Sequence, residues 1–137
     1  MNASEVDYIV VHCSDSPQGR GDNAETIHRW HIENGWDGIG YHKVILENGD
    51  VENGRPIYWK GSHARPYNGS SLGVCLIGVD SFTDDQYSSL RREIFDLLKK
   101  FPAAKVVGHK DLNSGKTCPN FDVKGWWQGC YSTPQHN

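Results

Sequence analysis

The sequence predicts an α/β fold: one domain with a central mixed β-sheet flanked by helices. Two observations predict it. Short apolar runs of strand length alternate along the chain with amphipathic segments of helical spacing, and Asn48-Gly49 joins two of those runs as a tight hairpin. The chain of 137 residues is the usual size of one domain with a real core. All of residues 1–137 are therefore assigned to one domain, with its core over about residues 6–127.

The elements follow in order. Residues 6–11 form a mostly apolar run, interrupted at Asp7 and with one Tyr, and read as a central strand. A Gly/Ser/Pro/Asp-rich loop over 14–21 follows. Asp22 or Asn23 caps a helix that runs to about Asn34, where Gly35 stops it, and Ile27, Trp30, His31 and Ile32 give it one face. Residues 41–46 read as a strand, Asn48-Gly49 as its turn, and Val51-Glu52 as the return strand. Residues 55–71 are rich in Gly, Pro, Ser and aromatics and read as an irregular surface loop, the usual place for binding residues. Residues 72–79 form another apolar strand. Thr83-Asp84-Asp85-Gln86 is a capping box, and Tyr87, Leu90, Ile94, Leu97, Leu98 and Phe101 recur behind it at helical spacing until Pro102. Residues 105–107 are the last strand, and Asp122 caps a short helix carrying Trp126 and Trp127.

Composition removes several classes of function. Net charge is -3 with no basic block, so no nucleic-acid partner is expected. No apolar stretch approaches the roughly 18 residues of a membrane span, so no membrane insertion is expected. Residues 1–7 lack the basic start and apolar centre of a secretory signal, which predicts a cytosolic chain. In that reducing compartment the four cysteines are expected as thiols rather than disulfides. Cys13 and Cys75 read as small buried residues and Cys130 lies near the C-terminus. Cys118 stands apart in a polar, Pro-flanked loop.

His12 and His109 each end an apolar run, and Cys118 follows with Lys116 two residues before it. Two imidazoles and a thiolate are a ligand set for zinc, and three protein ligands leave a fourth position open for water, as a catalytic zinc requires. If the two runs are neighbouring strands, both histidines emerge at one sheet edge and the Cys118 loop closes the site. Lys116 can bring a cation to an oxyanion there, and Tyr41, after Gly38-Ile39-Gly40, can donate a phenol to it. Plainer readings stand beside these: a structural strand-end His, a solvated Lys116, a half-buried Tyr41. His28 and His31 read as helix-surface or packing residues, His42 faces away from Tyr41, and His136 lies in the tail. No His-Glu-x-x-His occurs.

Several motifs occur in a telling order: Val11-His12-Cys13-Ser14, Gly40-Tyr41-His42, Gly61-Ser62-His63-Ala64, then Gly73-Val74-Cys75-Leu76-Ile77-Gly78. Gly108-His109-Lys110-Asp111 and Lys116-Thr117-Cys118-Pro119-Asn120-Phe121-Asp122 complete the series. In that order they resemble the zinc-dependent N-acetylmuramoyl-L-alanine amidases of the amidase-2 group, most of all the short phage lysozymes of amidase type. Peptidoglycan recognition proteins are similar in fold. The resemblance spans residues 6–127.

It implies one zinc (Zn2+) per chain on His12, His109 and Cys118, with Tyr41 and Lys116 acting on the reacting amide. The implied substrate is peptidoglycan, cut between the lactyl group of N-acetylmuramic acid and L-alanine. His63, Arg65 and Tyr67 are expected to contact its glycan or peptide. A lysis enzyme of this kind is expected to wait in the host cytoplasm until released to the cell wall. Two other readings remain: a wall-fragment binding module, and a protein that inhibits a host partner through the helix bearing Trp30 and His31. A monomer is the default at this size.

Overall fold

A computed structural model describes residues 1–132. Its centre is β1 (Tyr8–Cys13), buried along its length except at Tyr8. β1 lies between β4 (Ser71–Leu76) and β5 (Lys105–Gly108) and runs parallel to both. β2 (Lys43–Ile45) pairs parallel with β4 and antiparallel with β3 (Val51–Asn53), so the sheet order is β3-β2-β4-β1-β5. Parallel strands are covered on both faces, which is why β1 and β4 read as unbroken apolar runs.

The two-residue period of a strand sends alternate side chains of β1 to opposite faces. Ile9 and Val11 enter the larger core with Leu72, Val74 and Leu76 of β4. Leu90, Ile94 and Leu97 of α2 (Asp84–Lys100) and Val123 of α4 (Val123–Ser132) close over them. On the other face Cys75 and Val44 pack with Ile27 of α1 (Ala24–Glu33), and half-buried Trp30 packs against them beneath Arg20.

Local chemistry fixes the helix ends. Asn23 and Thr26 cap each other at the start of α1, and Gly35, with φ +86°, ends it. Thr83 and Gln86 form the expected box on α2. Gln86 is fully buried, and its amide nitrogen donates to the carbonyls of Ile77 (2.8 Å) and Ile45 (3.3 Å), tying α2 to the sheet.

Some boundaries differ from expectation. β1 starts and ends two residues later than the apolar run. β2 is shorter than residues 41–46 because Gly40, Tyr41 and His42 share their backbone groups with His31, Gly54, Arg55, Ser62 and Gly73. β4 stops before residue 79, and Gly78 takes φ +134° just beyond it. β5 runs one residue past 107, and His109 just after it opens a short helix, α3 (His109–Leu112). Cys13, Cys75, Cys118 and Cys130 are free thiols. Among the described residues no helix is long and apolar enough to cross a membrane. His136 lies outside the described residues.

His42 is buried beside β4, its Nδ1 accepting the Gly73 N–H at 3.0 Å and its Nε2 meeting the Trp59 carbonyl at 2.7 Å. Burial holds this imidazole down at about 4, against an ordinary 6.5. The folded chain keeps it neutral while the unfolded chain protonates it. Its contribution to stability is therefore complete above pH 6.5 and lost as pH falls toward 4, at a limiting slope of about 1.4 kcal/mol per pH unit. Urea denaturation of the metal-free protein should show a lower midpoint at pH 4.5 than at pH 7.5. Equal midpoints would mean that His42 does not stay neutral in the fold.

Candidate metal centre

The register of β1 on β5 pairs Val11 with Gly108, which sets His12 beside His109. Because Val11 points into the core, His12 points to the opposite face. His109 is aimed by its own helix start: the Gly108 N–H donates to Asp111 Oδ2 at 2.7 Å. The two imidazole rings lie 4.5 Å apart between centroids. Two bonds bring the Cys118 loop to them. The Lys110 N–H donates to the Cys118 carbonyl at 3.0 Å, and the Cys13 N–H donates to the Cys118 sulfur at 2.9 Å. One potential ligand atom from each of His12, His109 and Cys118 then lies within 4.8 Å of the other two.

The donor chemistry fits zinc. Metal binds neutral imidazole and ionised thiolate. Burial, then the neighbouring His63 and His109, hold His12 well below its ordinary pKa, and burial followed by Lys116 lowers His109. Both rings are thus neutral at pH 7. The Cys13 side-chain hydrogen bond and burial push the Cys118 thiol above its ordinary value, so a cation at this point would be needed to ionise it.

Tyr41 stands against the same cluster, its ring 4.9 Å from that of His12. Burial raises its phenol well above 10, with the sulfurs of Cys75, Cys118 and Cys13 adding to the effect, so it remains a hydrogen-bond donor at neutral pH. Lys116 is exposed, its N–H bonded to the Asn113 carbonyl at 3.0 Å. A cleft of about 790 Å³ brings together His12, His109, Cys118, Tyr41, Lys116, His63 and Arg65.

Within the 55–71 loop the expected contacts separate. Arg65 is exposed on the cleft wall. Tyr67 is outside the cleft lining and meets Tyr8 edge-on at 5.6 Å. His63 turns inward: its Nδ1 is 2.9 Å from His12 Nε2, and its Nε2 is 3.3 Å from Ser71 Oγ. Both ring nitrogens are engaged within the protein, and burial lowers the pKa to about 3. Asn68 Oδ1 accepts the N–H groups of His63 and Ala64, each at 2.8 Å, and so holds the loop in this shape.

His28 and His31 are not idle on the helix surface. Their Nδ1 atoms accept the N–H groups of Ile39 (3.0 Å) and Gly40 (2.9 Å), fixing the approach to Tyr41. Sequence reasoning missed Trp36, which lines the cleft and packs on His31 at 4.4 Å. Its only signal was an aromatic placed just after a helix stop. The contact of His63 with His12 was also missed, because no periodicity links a loop to a strand. The nearby glycines were the available signal.

The family model for N-acetylmuramoyl-L-alanine amidase matches residues 2–121. The endolysin of Escherichia phage T7 is 41% identical over 130 residues, covering 89% of this chain and 85% of that protein. Among solved structures, the endolysin amidase LysCS from Clostridium intestinale superposes with a TM-score of 0.82 at 26% identity, over 94% of this chain and 84% of that one. Drosophila PGRP-LB superposes with a TM-score of 0.75 at 26% identity, over 96% and 83%.

The space for His63 depends on glycine. A Cβ on Gly73 would lie 2.7 Å from the His63 ring, and one on Gly61 would lie 2.6 Å from it. Since the ring is held through both nitrogens, it cannot swing away freely. Gly73→Ala should lower stability by about 1–3 kcal/mol, read by urea unfolding. Unaltered stability would mean that the His63 ring is not fixed.

Proposed function

The chain belongs to the N-acetylmuramoyl-L-alanine amidase family, and we propose that it works with one zinc ion held by His12, His109 and Cys118. It is a peptidoglycan amidase of the phage endolysin kind and is related to the peptidoglycan recognition proteins. We take the bond it hydrolyses to be the amide between the lactyl group of N-acetylmuramic acid and L-alanine. The observation that carries the zinc reading is the convergence of two neutral imidazoles and one thiol within 4.8 Å, beside an open cleft.

When bound, zinc supplies the Lewis acidity that activates water and polarises a carbonyl at neutral pH. The chain's own groups do the rest. Tyr41, kept protonated, donates a hydrogen bond to the carbonyl oxygen of the scissile amide. Lys116 brings its ammonium from the cleft rim to the same oxygen as negative charge develops there. His12 and His109 are held neutral, and the Cys13 N–H steadies the Cys118 sulfur. Arg65 contacts the substrate from the cleft wall, while His63 and Tyr67 complete the loop behind it. A net charge of -3 gives no broad attraction to anionic wall polymers, so binding rests on these local contacts.

Residues 1–137 are read as one catalytic domain with its core over about 6–127. It acts as a monomer and waits in the host cytoplasm until it is released to the cell wall.

Zinc content and turnover measured together test this reading. Wild-type protein should hold one equivalent of zinc and lose activity on chelation. Cys118→Ala should lose both the metal and the activity, and a fully active Cys118→Ala protein would contradict the site. Lys116→Ala should keep its zinc and lose about 10²–10³-fold in kcat. Unchanged turnover in that variant would remove Lys116 from the mechanism.

A further inference from the structure

A hydrogen-bonded chain runs from the candidate metal centre back into the fold, and its direction can be worked out from its far end. The Tyr67 carbonyl can only accept, so Ser71 Oγ, 2.7 Å away, donates its proton there. The Ser71 oxygen is then left to accept from His63 Nε2 at 3.3 Å. A neutral His63 protonated at Nε2 has a bare Nδ1. That bare nitrogen lies 2.9 Å from His12 Nε2, which must therefore carry the proton between them. The remaining nitrogen of His12, Nδ1, is left bare. His63 has little freedom to do otherwise, with Gly61 and Gly73 against its ring and Asn68 holding its backbone N–H.

We propose that His63 is a positioning residue that fixes His12 in the tautomer protonated at Nε2 and so presents Nδ1 of His12 to the zinc. This rests on the zinc reading above and adds a role for a residue that the sequence marked only as a substrate contact. Metal-ligating histidines generally donate their second N–H to an oriented acceptor, which fixes the ring and strengthens the ligand. Here that acceptor is another imidazole, aimed in turn by a buried serine.

Two measurements test it. The first uses the zinc-loaded protein with ¹⁵N-labelled histidine, in which two-bond ¹H–¹⁵N correlations separate protonated, bare and metal-bound ring nitrogens. The expected pattern for His12 is a metal-shifted Nδ1 with a protonated Nε2. For His63 it is a protonated Nε2 with a bare Nδ1. Zinc bound through His12 Nε2, or His63 protonated at Nδ1, would overturn the inference while leaving the amidase reading intact. A protein that takes up no zinc would overturn the zinc reading and this inference with it.

The second is zinc affinity by chelator competition. His63→Ala should weaken binding by about 10–100-fold. His63→Gln, whose amide oxygen can still accept from His12 Nε2, should recover part of that loss. Wild-type affinity in both variants would overturn the positioning role. If His63→Ala does not fold, the spectrum of the wild-type protein still decides.

Discussion

The parallel pairing of β1 with β5 is the constraint on which the site depends. It aligns Val11 with Gly108, and so delivers His12 and His109 side by side at the carboxyl ends of adjacent strands. Open α/β sheets place ligands outside those strand ends. The core enforces the register. Ile9 and Val11 are fully buried against α2 and β4, so a slip by one residue would drive His12 into the apolar core and expose valine to the cleft. The energy that positions the imidazoles is thus hydrophobic energy from the opposite face of the same strand.

The cost of this arrangement is a set of buried polar rings. His12 and His42 are almost completely buried, and an unpaired polar group in such a place costs about 1–3 kcal/mol. The fold meets that cost with specific partners: Gly73 and Trp59 for His42, His63 for His12, and Ser71 for His63. No buried side-chain nitrogen or oxygen lacks a partner among the described residues. Glycines at 61 and 73 leave room for rings where a larger residue would collide. The same hydrogen bonds therefore serve stability and fix the orientation of these rings.

Much of this was legible in the sequence, for identifiable reasons. The capping pairs Asn23/Thr26 and Thr83/Gln86 act over a few residues, so local spacing reveals the helices they start. The apolar runs gave strands, and the matched positions of His12 and His109 gave a shared edge once those strands were neighbours. The insertion of β4 between β1 and β2 was not legible, since strand order depends on how crossovers pack. The truncated β2 escaped notice because the backbone groups of its would-be first residues, Tyr41 and His42, bond to Gly54 and Arg55 just past β3 and to Gly73 of β4. His63 looked like a surface contact because its loop composition is that of a binding loop. What turns it inward is Asn68, through two backbone N–H groups that no local pattern displays.

An end-group analysis tests the central claim most directly. Purified protein is incubated with peptidoglycan in the presence and absence of a zinc chelator, and the new chain ends are identified. The account predicts new alanine amino termini that disappear on chelation and return when zinc is restored. New reducing sugar ends, or alanine termini that form equally well under chelation, would contradict it.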